Sequence, residues 1–271
     1  MAIVTRKPRN SSLRTQQFIT YEDLTDKRPE KGLVAPLKKT GGRNAYGRIT
    51  SRHRGGGAKQ IYRIIDFRRV HKEVLGVVKA FEYDPNRNVP ITLIQYKNGA
   101  KAYILRPEGL KIGDNIVSSE KAEAKVGCSL PLKNIPVGFF VHNVEFTPGL
   151  GGKFARSAGC SVQLVGKENE KAILRMPSGE MRLVSLDCWA SVGTLANGEF
   201  RNMVWGKAGR SRHRGIRPSV RGMAMNPVDH PHGGGEGRSK SGSHPVTPWG
   251  KCCKGMRTKK RKNPAILRRR K

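Results

Sequence analysis

The chain has 271 residues, of which 53 are Lys or Arg and 20 are Asp or Glu, giving a formal charge of +33 and a pI near 10.7. So large a self-repulsion calls for an anionic partner, nucleic acid first and an anionic membrane surface second. It argues strongly against an enzyme for a small cationic substrate.

The charge is uneven. Residues 1–60 carry 14 basic and 4 acidic groups, residues 61–200 carry 19 and 14, and residues 201–271 carry 20 and 2. Ile, Leu, Val and Phe run the other way, with 10, 43 and 7 in the same three segments. The ends fall below the ~20% apolar level needed to bury a core, and the middle exceeds it. The sequence therefore predicts a basic N-terminal extension at 1–60, folded modules at 61–125 and 126–200, and a basic, Gly/Pro-rich extension at 201–271. Both extensions are expected to be largely irregular, and disordered until a polyanion neutralises them.

In chain order, the first extension holds two Gly-rich basic patches, Lys38-Lys39-Thr40-Gly41-Gly42-Arg43 and Arg52-His53-Arg54-Gly55-Gly56-Gly57. Glycine lets the backbone approach a phosphate surface, and Arg supplies charge-assisted hydrogen bonds to it. The competing reading is a solvated tail. From residue 61 short β-rich runs follow: 61–67, then 74–83 ended by Asp84-Pro85-Asn86, then 91–97 and 101–105 around Asn98-Gly99, then 115–117. Asn-Gly between apolar runs predicts a hairpin with a type I′ turn. About five strands in some 60 residues suit a small barrel.

A second β module is expected from about 126. Val137, Phe139 and Val141 alternate, as do Cys160, Val162 and Leu164, and Ala172, Leu174 and Met176. Pro177-Ser178-Gly179-Glu180 turns the chain into a return strand beginning at Met181 and Leu183. Helical periodicity is weak throughout, so two consecutive small barrels, a mainly β fold, is the expected architecture.

After about 200 the pattern breaks into Gly209-Arg210-Ser211-Arg212-His213-Arg214-Gly215, then Arg217-Pro218, Arg221-Gly222, a His-rich loop from Met225 to Arg238, and basic runs at Lys259-Lys260-Arg261-Lys262 and Arg268-Arg269-Arg270-Lys271.

Several chemistries lack their residues. No apolar run approaches the ~18 residues of a membrane span, and the first residues show no apolar secretory core. The five cysteines, Cys128, Cys160, Cys188, Cys252 and Cys253, form neither a disulfide framework nor a zinc spacing, which fits a reducing cytoplasm. Gly152-Lys153 comes closest to a phosphate-binding loop and fails, since Thr stands at 147 and Phe154 follows the Lys.

Asp229, His230 and His232 carry three readings. An Asp beside a His can orient a general base, two His can ligate a metal, and a Gly-rich basic loop can press on RNA. Composition favours the last. His71 and His142 sit near β runs as surface or packing residues. Of the tryptophans, Trp189 belongs with the second module, while Trp205 and Trp249 are candidates to stack on bases.

The motifs Gly41-Gly42-Arg43-Asn44, Arg52-His53-Arg54-Gly55-Gly56-Gly57, Tyr62-Arg63-Ile64-Ile65-Asp66-Phe67, Glu82-Tyr83-Asp84-Pro85-Asn86-Arg87, Ala155-Arg156-Ser157-Ala158-Gly159 and Met225-Asn226-Pro227-Val228-Asp229-His230-Pro231-His232-Gly233-Gly234-Gly235-Glu236-Gly237-Arg238 stand in order along nearly the whole chain. In them the chain resembles the bacterial-type large-subunit ribosomal protein L2 family. Ala58-Lys59-Gln60 and the stretch 250–256 depart from that family's pattern.

The resemblance implies an OB-like barrel followed by an SH3-like barrel, with extensions threading into rRNA. It implies a structural constituent of the large subunit that stabilises 23S-type rRNA around the peptidyl transferase centre and supports subunit association. Partners would be that rRNA, neighbouring ribosomal proteins and the small subunit, in the cytoplasm. No membrane, small-molecule substrate, resident metal or cofactor is implied, and Mg2+ enters only as part of rRNA structure. The expected rRNA-binding residues of the first extension are Arg43, Arg52, His53 and Arg54. Those of the barrels are Arg63, Arg68, Arg69, Arg87, Lys153 and Arg156, with Arg87 and Arg156 foremost. Those of the second extension are Arg210, Arg212, His213, Arg214, Arg217 and Arg221, then Asn226, Asp229, His230, His232 and Arg238. Two alternatives stay open: catalysis of peptidyl transfer by His230, and a DNA-binding or chromatin protein, suggested by Lys259-Lys260-Arg261-Lys262 but lacking a major-groove helix.

Overall fold

A computed structural model describes residues 1–26, 28–237, 242–254 and 263–270. The chain forms two compact units. One comprises Met1–Lys38, Lys59–Ala208 and Pro264–Lys271, and the other Lys39–Ala58 and Gly209–Asn263.

The first unit holds both β modules. In the first module four antiparallel strands lie in the order Lys101–Leu105, Ile91–Tyr96, Gly76–Glu82, Asn115–Ile116. Ile91–Tyr96 lies between two neighbours and is buried on both faces. Ile91 and Leu93 pack with Ile65, Val89, Tyr103 and Leu195, and Ile94 and Tyr96 pack with Phe81, Ile104, Leu110 and Ile116. The register shifts between Val78 and Ala80. That bulge puts Val78 on one cluster and Ala80 on the other, although two residues apart in a regular strand share a face.

In the second module seven strands run in the order Ile266–Arg268, Met181–Ser185, Lys171–Arg175, Val162–Glu168, Phe140–His142, Trp189–Val192, Ser129–Pro131. Leu130, Leu132, Ile135, Val141, Val162, Leu164, Ala172 and Leu174 fill its interior. The fold is mainly β, an OB-like barrel followed by an SH3-like barrel.

Within the barrels two sequence expectations are corrected. The Asn98-Gly99 turn is not type I′, because Gly99 (φ 82°) alone is left-handed. The Tyr96 amide donates to the Ala100 carbonyl at 2.8 Å and the Gly99 amide to the Tyr96 carbonyl at 2.9 Å, the bonding of a three-residue loop with a glycine bulge. Val137 and Phe139 are exposed rather than facing the core with Val141, because Gly138 (φ 93°) breaks the pleat before the strand begins at Phe140.

The extensions are also less bare than their composition suggests. Ile3–Thr5 pairs with Gln17–Ile19, Val34–Pro36 with Ile61–Arg63, and Ile266–Arg268 with the strand at Met181. The backbone gains partners there without needing a long apolar run.

The second unit is built differently. Among its described residues no hydrophobic side chain is buried, and the short helix Ala208–His213 buries nothing. Backbone bonds hold it: the Gly55 amide to the Gly215 carbonyl at 3.0 Å, Ala58 to His213 at 2.9 Å, and Arg217 to His53 at 3.1 Å. Gly57 must be glycine, since a Cβ there would lie 2.7 Å from the Gly215 nitrogen.

Candidate nucleic-acid interface

In the first unit the two modules meet at 66–70. Asp66 accepts backbone amides from Arg68 and Arg69 through Oδ1 and from Val70 through Oδ2, at 2.7–3.1 Å. This tight turn gives two adjacent arginines opposite fates. Arg68 is exposed, while Arg69, at φ 55°, is only 3% exposed. Its Nη2 donates to the Gly127 carbonyl at 3.1 Å and to Ser191 Oγ at 3.4 Å. Arg69 is thus a bolt between the modules, a correction to its expected place among the rRNA contacts.

His142 belongs to the same joint. It is 1% exposed, and its Nδ1 lies 2.8 Å from the Gly193 carbonyl, so that nitrogen carries the proton. Burial holds its pKa down at about 4. The carbonyl opposes that shift and the Arg69 charge adds to it.

Beside the joint lies an open cleft of about 520 Å³, lined by Ile64, Phe67, Val70 and Leu150 and by Arg68, Lys153 and Arg156. Arg156 is exposed, with its guanidinium carbon 4.0 Å from the Phe67 ring centroid and Nη1 donating to the Gly152 carbonyl at 2.9 Å. Buried Glu145 steadies the loop that carries Lys153 and Arg156. Its oxygens accept the amides of Gly149 at 3.1 Å, Gly151 at 2.9 Å and Trp189 at 3.1 Å. The cleft thus offers aimed cations on an ordered loop, suited to phosphate oxygens.

Arg87 is engaged internally. Its Nη1 pairs with Asp84, whose side chain is fully buried, and its Nη2 donates to Tyr62 Oη at 3.0 Å. Arg63 is half-buried and folds back on the Ile61 carbonyl at 2.9 Å.

The second unit gathers the remaining cations. Arg43, Arg52, Arg54, Arg212, His213, Arg214, Arg217 and Arg221 are exposed there, and His53 and Arg210 are half-buried. In the His-rich loop Asn226 and Asp229 face solvent, whereas His230 is 8% exposed. His230 Nδ1 accepts the His232 amide at 3.0 Å, and His232 Nε2 accepts the Val246 amide at 2.9 Å. Gly222 covers the His230 ring so closely that a Cβ would lie 2.5 Å from Nδ1. His230 therefore organises the loop, with one ring nitrogen occupied by backbone. Arg238 and Lys259-Lys260-Arg261-Lys262 lie outside the described residues. Among the described residues no group of three or more His, Cys, Asp or Glu could hold a metal ion.

Residues 30–118 match the family model "Ribosomal Proteins L2, RNA binding N-terminal domain", and residues 125–250 match "Ribosomal Proteins L2, C-terminal domain". The chain belongs to the ribosomal protein L2 (uL2) family. It is 55% identical over 263 residues to the large ribosomal subunit protein uL2 of Helicobacter pylori strain G27, covering 97% of this chain and 95% of that protein. The uL2 of Helicobacter acinonychis strain Sheeba is 54% identical over 263 residues. Family membership makes the chain a bacterial-type structural constituent of the large ribosomal subunit with an RNA-binding domain. No helix among the described residues is long and apolar enough to cross a membrane.

Sequence reasoning missed Phe67 and Glu145. Phe67 supports two arginines, with Arg156 at 4.0 Å and Arg87 at 5.6 Å from its ring. Phe67 stood inside a quoted motif and gave a usable signal. Glu145 gave none, because nothing local distinguishes a buried carboxylate from a solvated one.

Proposed function

We propose that the protein binds large-subunit rRNA of the 23S type and clamps the segments around the peptidyl transferase centre, without taking part in the chemistry. One observation carries this reading. The second unit has no buried hydrophobic side chain among its described residues, yet it displays a dense set of exposed arginines. Only a polyanion both neutralises such a segment and supplies the surface it cannot bury by itself. The barrels then act as a rigid body that presents the cleft cations of Arg68, Lys153 and Arg156 to phosphates.

Neighbouring ribosomal proteins and the small subunit are the further partners, and the compartment is the cytoplasm. Mg2+ belongs to the rRNA, and the protein needs no cofactor, small-molecule substrate or membrane. Titrating the full chain into a large-subunit rRNA transcript and into duplex DNA, at one salt concentration, tests the reading. Binding about a thousandfold tighter to the rRNA, the low end of specific over non-specific discrimination, supports it. Equal affinities overturn it in favour of a DNA-binding protein.

A further inference from the structure

Four hairpins of the protein share one loop geometry. The loops are Ala45-Tyr46-Gly47, Lys97-Asn98-Gly99, Pro177-Ser178-Gly179 and Pro248-Trp249-Gly250. In each, the residue before the loop donates its amide to the carbonyl of the residue after it: Asn44 to Arg48 at 3.0 Å, Tyr96 to Ala100 at 2.8 Å, Met176 to Glu180 at 2.8 Å, and Thr247 to Lys251 at 2.8 Å. The loop glycine returns a bond to the residue before the loop at 2.9–3.1 Å, with φ between 76° and 82°.

The middle loop residue projects from the tip, where short polar side chains such as Asn and Ser are ordinary. The two barrel hairpins carry Asn98 and Ser178 there. The two hairpins of the second unit carry Tyr46, 89% exposed, and Trp249, 75% exposed.

These two hairpins agree in more than the loop. Each is closed by a bridge one residue further out, Arg43 with Ile49 and Val246 with Cys252. In each, a side-chain oxygen at the first position accepts the amide of a cation four residues on. Asn44 Oδ1 takes Arg48 at 3.0 Å, and Thr247 Oγ1 takes Lys251 at 3.2 Å. Two segments distant in sequence thus build one device, a rigid tip bearing an exposed aromatic with a cation two residues later. A solvated tip gains nothing from a ring that large. A nucleobase that has left its stack offers a π-face to the ring and a phosphate to the cation.

We propose that Tyr46 and Trp249 are stacking fingers, each holding one unpaired base of the bound RNA, with Arg48 and Lys251 on the adjoining phosphates. This rests on the rRNA reading and adds the kind of nucleotide that two named side chains take. A protein surface would also accept exposed aromatics. RNA is favoured because each tip pairs its ring with a cation and the surrounding unit is strongly basic.

The test measures affinity of the full chain for a large-subunit rRNA transcript across a salt series. Tyr46→Ala and Trp249→Ala should each weaken binding about five- to 150-fold, the value of one base stack converted at tenfold per 1.4 kcal/mol. The slope of log affinity against log salt should stay unchanged, because no phosphate contact is lost. Tyr46→Phe and Trp249→Phe should bind as wild type. Arg48→Ala and Lys251→Ala should instead lower the slope by about one. Wild-type affinity in the Ala variants overturns the inference and points to a protein-facing role. So does a loss that the Phe variants share with them. If the wild type prefers this rRNA no more than duplex DNA, the rRNA reading itself falls, which separates the two failures.

Discussion

Replacing Arg87 by Ala breaks a buried ion pair and should destabilise the folded chain. The Asp84 side chain has no solvent exposure and that of Arg87 has 16%. Removing the guanidinium leaves Asp84 Oδ2 without its partner in a closed site. Oδ1 keeps the Asn86 backbone amide at 2.9 Å and the Asn86 side-chain amide at 3.1 Å. Deleting one member of a buried pair costs about 3–5 kcal/mol, and the two remaining bonds place this case near the low end. The variant also loses the Tyr62 hydrogen bond and the contacts with the Tyr62 and Phe67 rings. A loss of about 3 kcal/mol lowers the melting temperature by ~6–12 °C for a folded region of this size. Urea and thermal melts of the full chain, followed by circular dichroism, measure it. The double variant Asp84→Asn with Arg87→Ala should recover part of the loss, because no buried charge is then stranded. A single variant within about 1 kcal/mol of wild type, below the low end for a broken buried pair, would refute the reasoning and return Arg87 to the surface contacts.

Exposed Arg156 should behave oppositely: Arg156→Ala leaves the melt nearly unchanged and weakens rRNA binding by about 1.5–3 kcal/mol, the value of a charge-assisted contact, as read by a binding isotherm. His142 predicts an acid-sensitive joint. Its folded pKa of about 4 lies below the ordinary 6.5, so the unfolded chain takes up the proton first and stability falls as pH drops from 6.5 to 4, by up to about 3 kcal/mol from this group. His142→Asn, which can still donate to the Gly193 carbonyl, should show a flatter slope in that window, and an unchanged slope would contradict the assignment. Limited trypsinolysis of the free chain should cut first within 39–58 and 209–254, whose described residues bury no hydrophobic side chain, and spare the described part of 1–38 that packs in the first unit; equal protection throughout would contradict this. Particles assembled with His230→Gln should retain most single-turnover peptide-bond formation, whereas a loss of about 100-fold or more with full occupancy, the least expected for a missing general base, would favour the catalytic alternative.

The central strands were legible because their apolar runs are bounded by strong turn formers. The runs at 74–83, 91–97 and 101–105 became Gly76–Glu82, Ile91–Tyr96 and Lys101–Leu105. What escaped was finer than a sequence pattern can carry. Arg68 and Arg69 are the same residue type side by side, and only the left-handed backbone at Arg69 sends it inward. The three-residue pairing of Ile3–Thr5 with Gln17–Ile19 is too short for any periodicity. The Asp84–Arg87 pair did leave a trace, an acid three residues before a base across a Pro-Asn turn. The turn at Asp84-Pro85-Asn86 is legible in the sequence, but the pairing of Arg87 with Asp84 is not. His230 sits in a motif whose composition favours an RNA contact, and nothing in that motif shows that its Nδ1 holds the His232 amide and so organises the loop.

Hydroxyl-radical footprinting of large-subunit rRNA, with the full chain bound at physiological salt, bears most directly on the clamp. The account predicts discrete protected segments, brought together around the peptidyl transferase centre, with some protections lost in Arg156→Ala and the rest kept. Weak protection spread evenly along the rRNA, insensitive to that substitution, would contradict it.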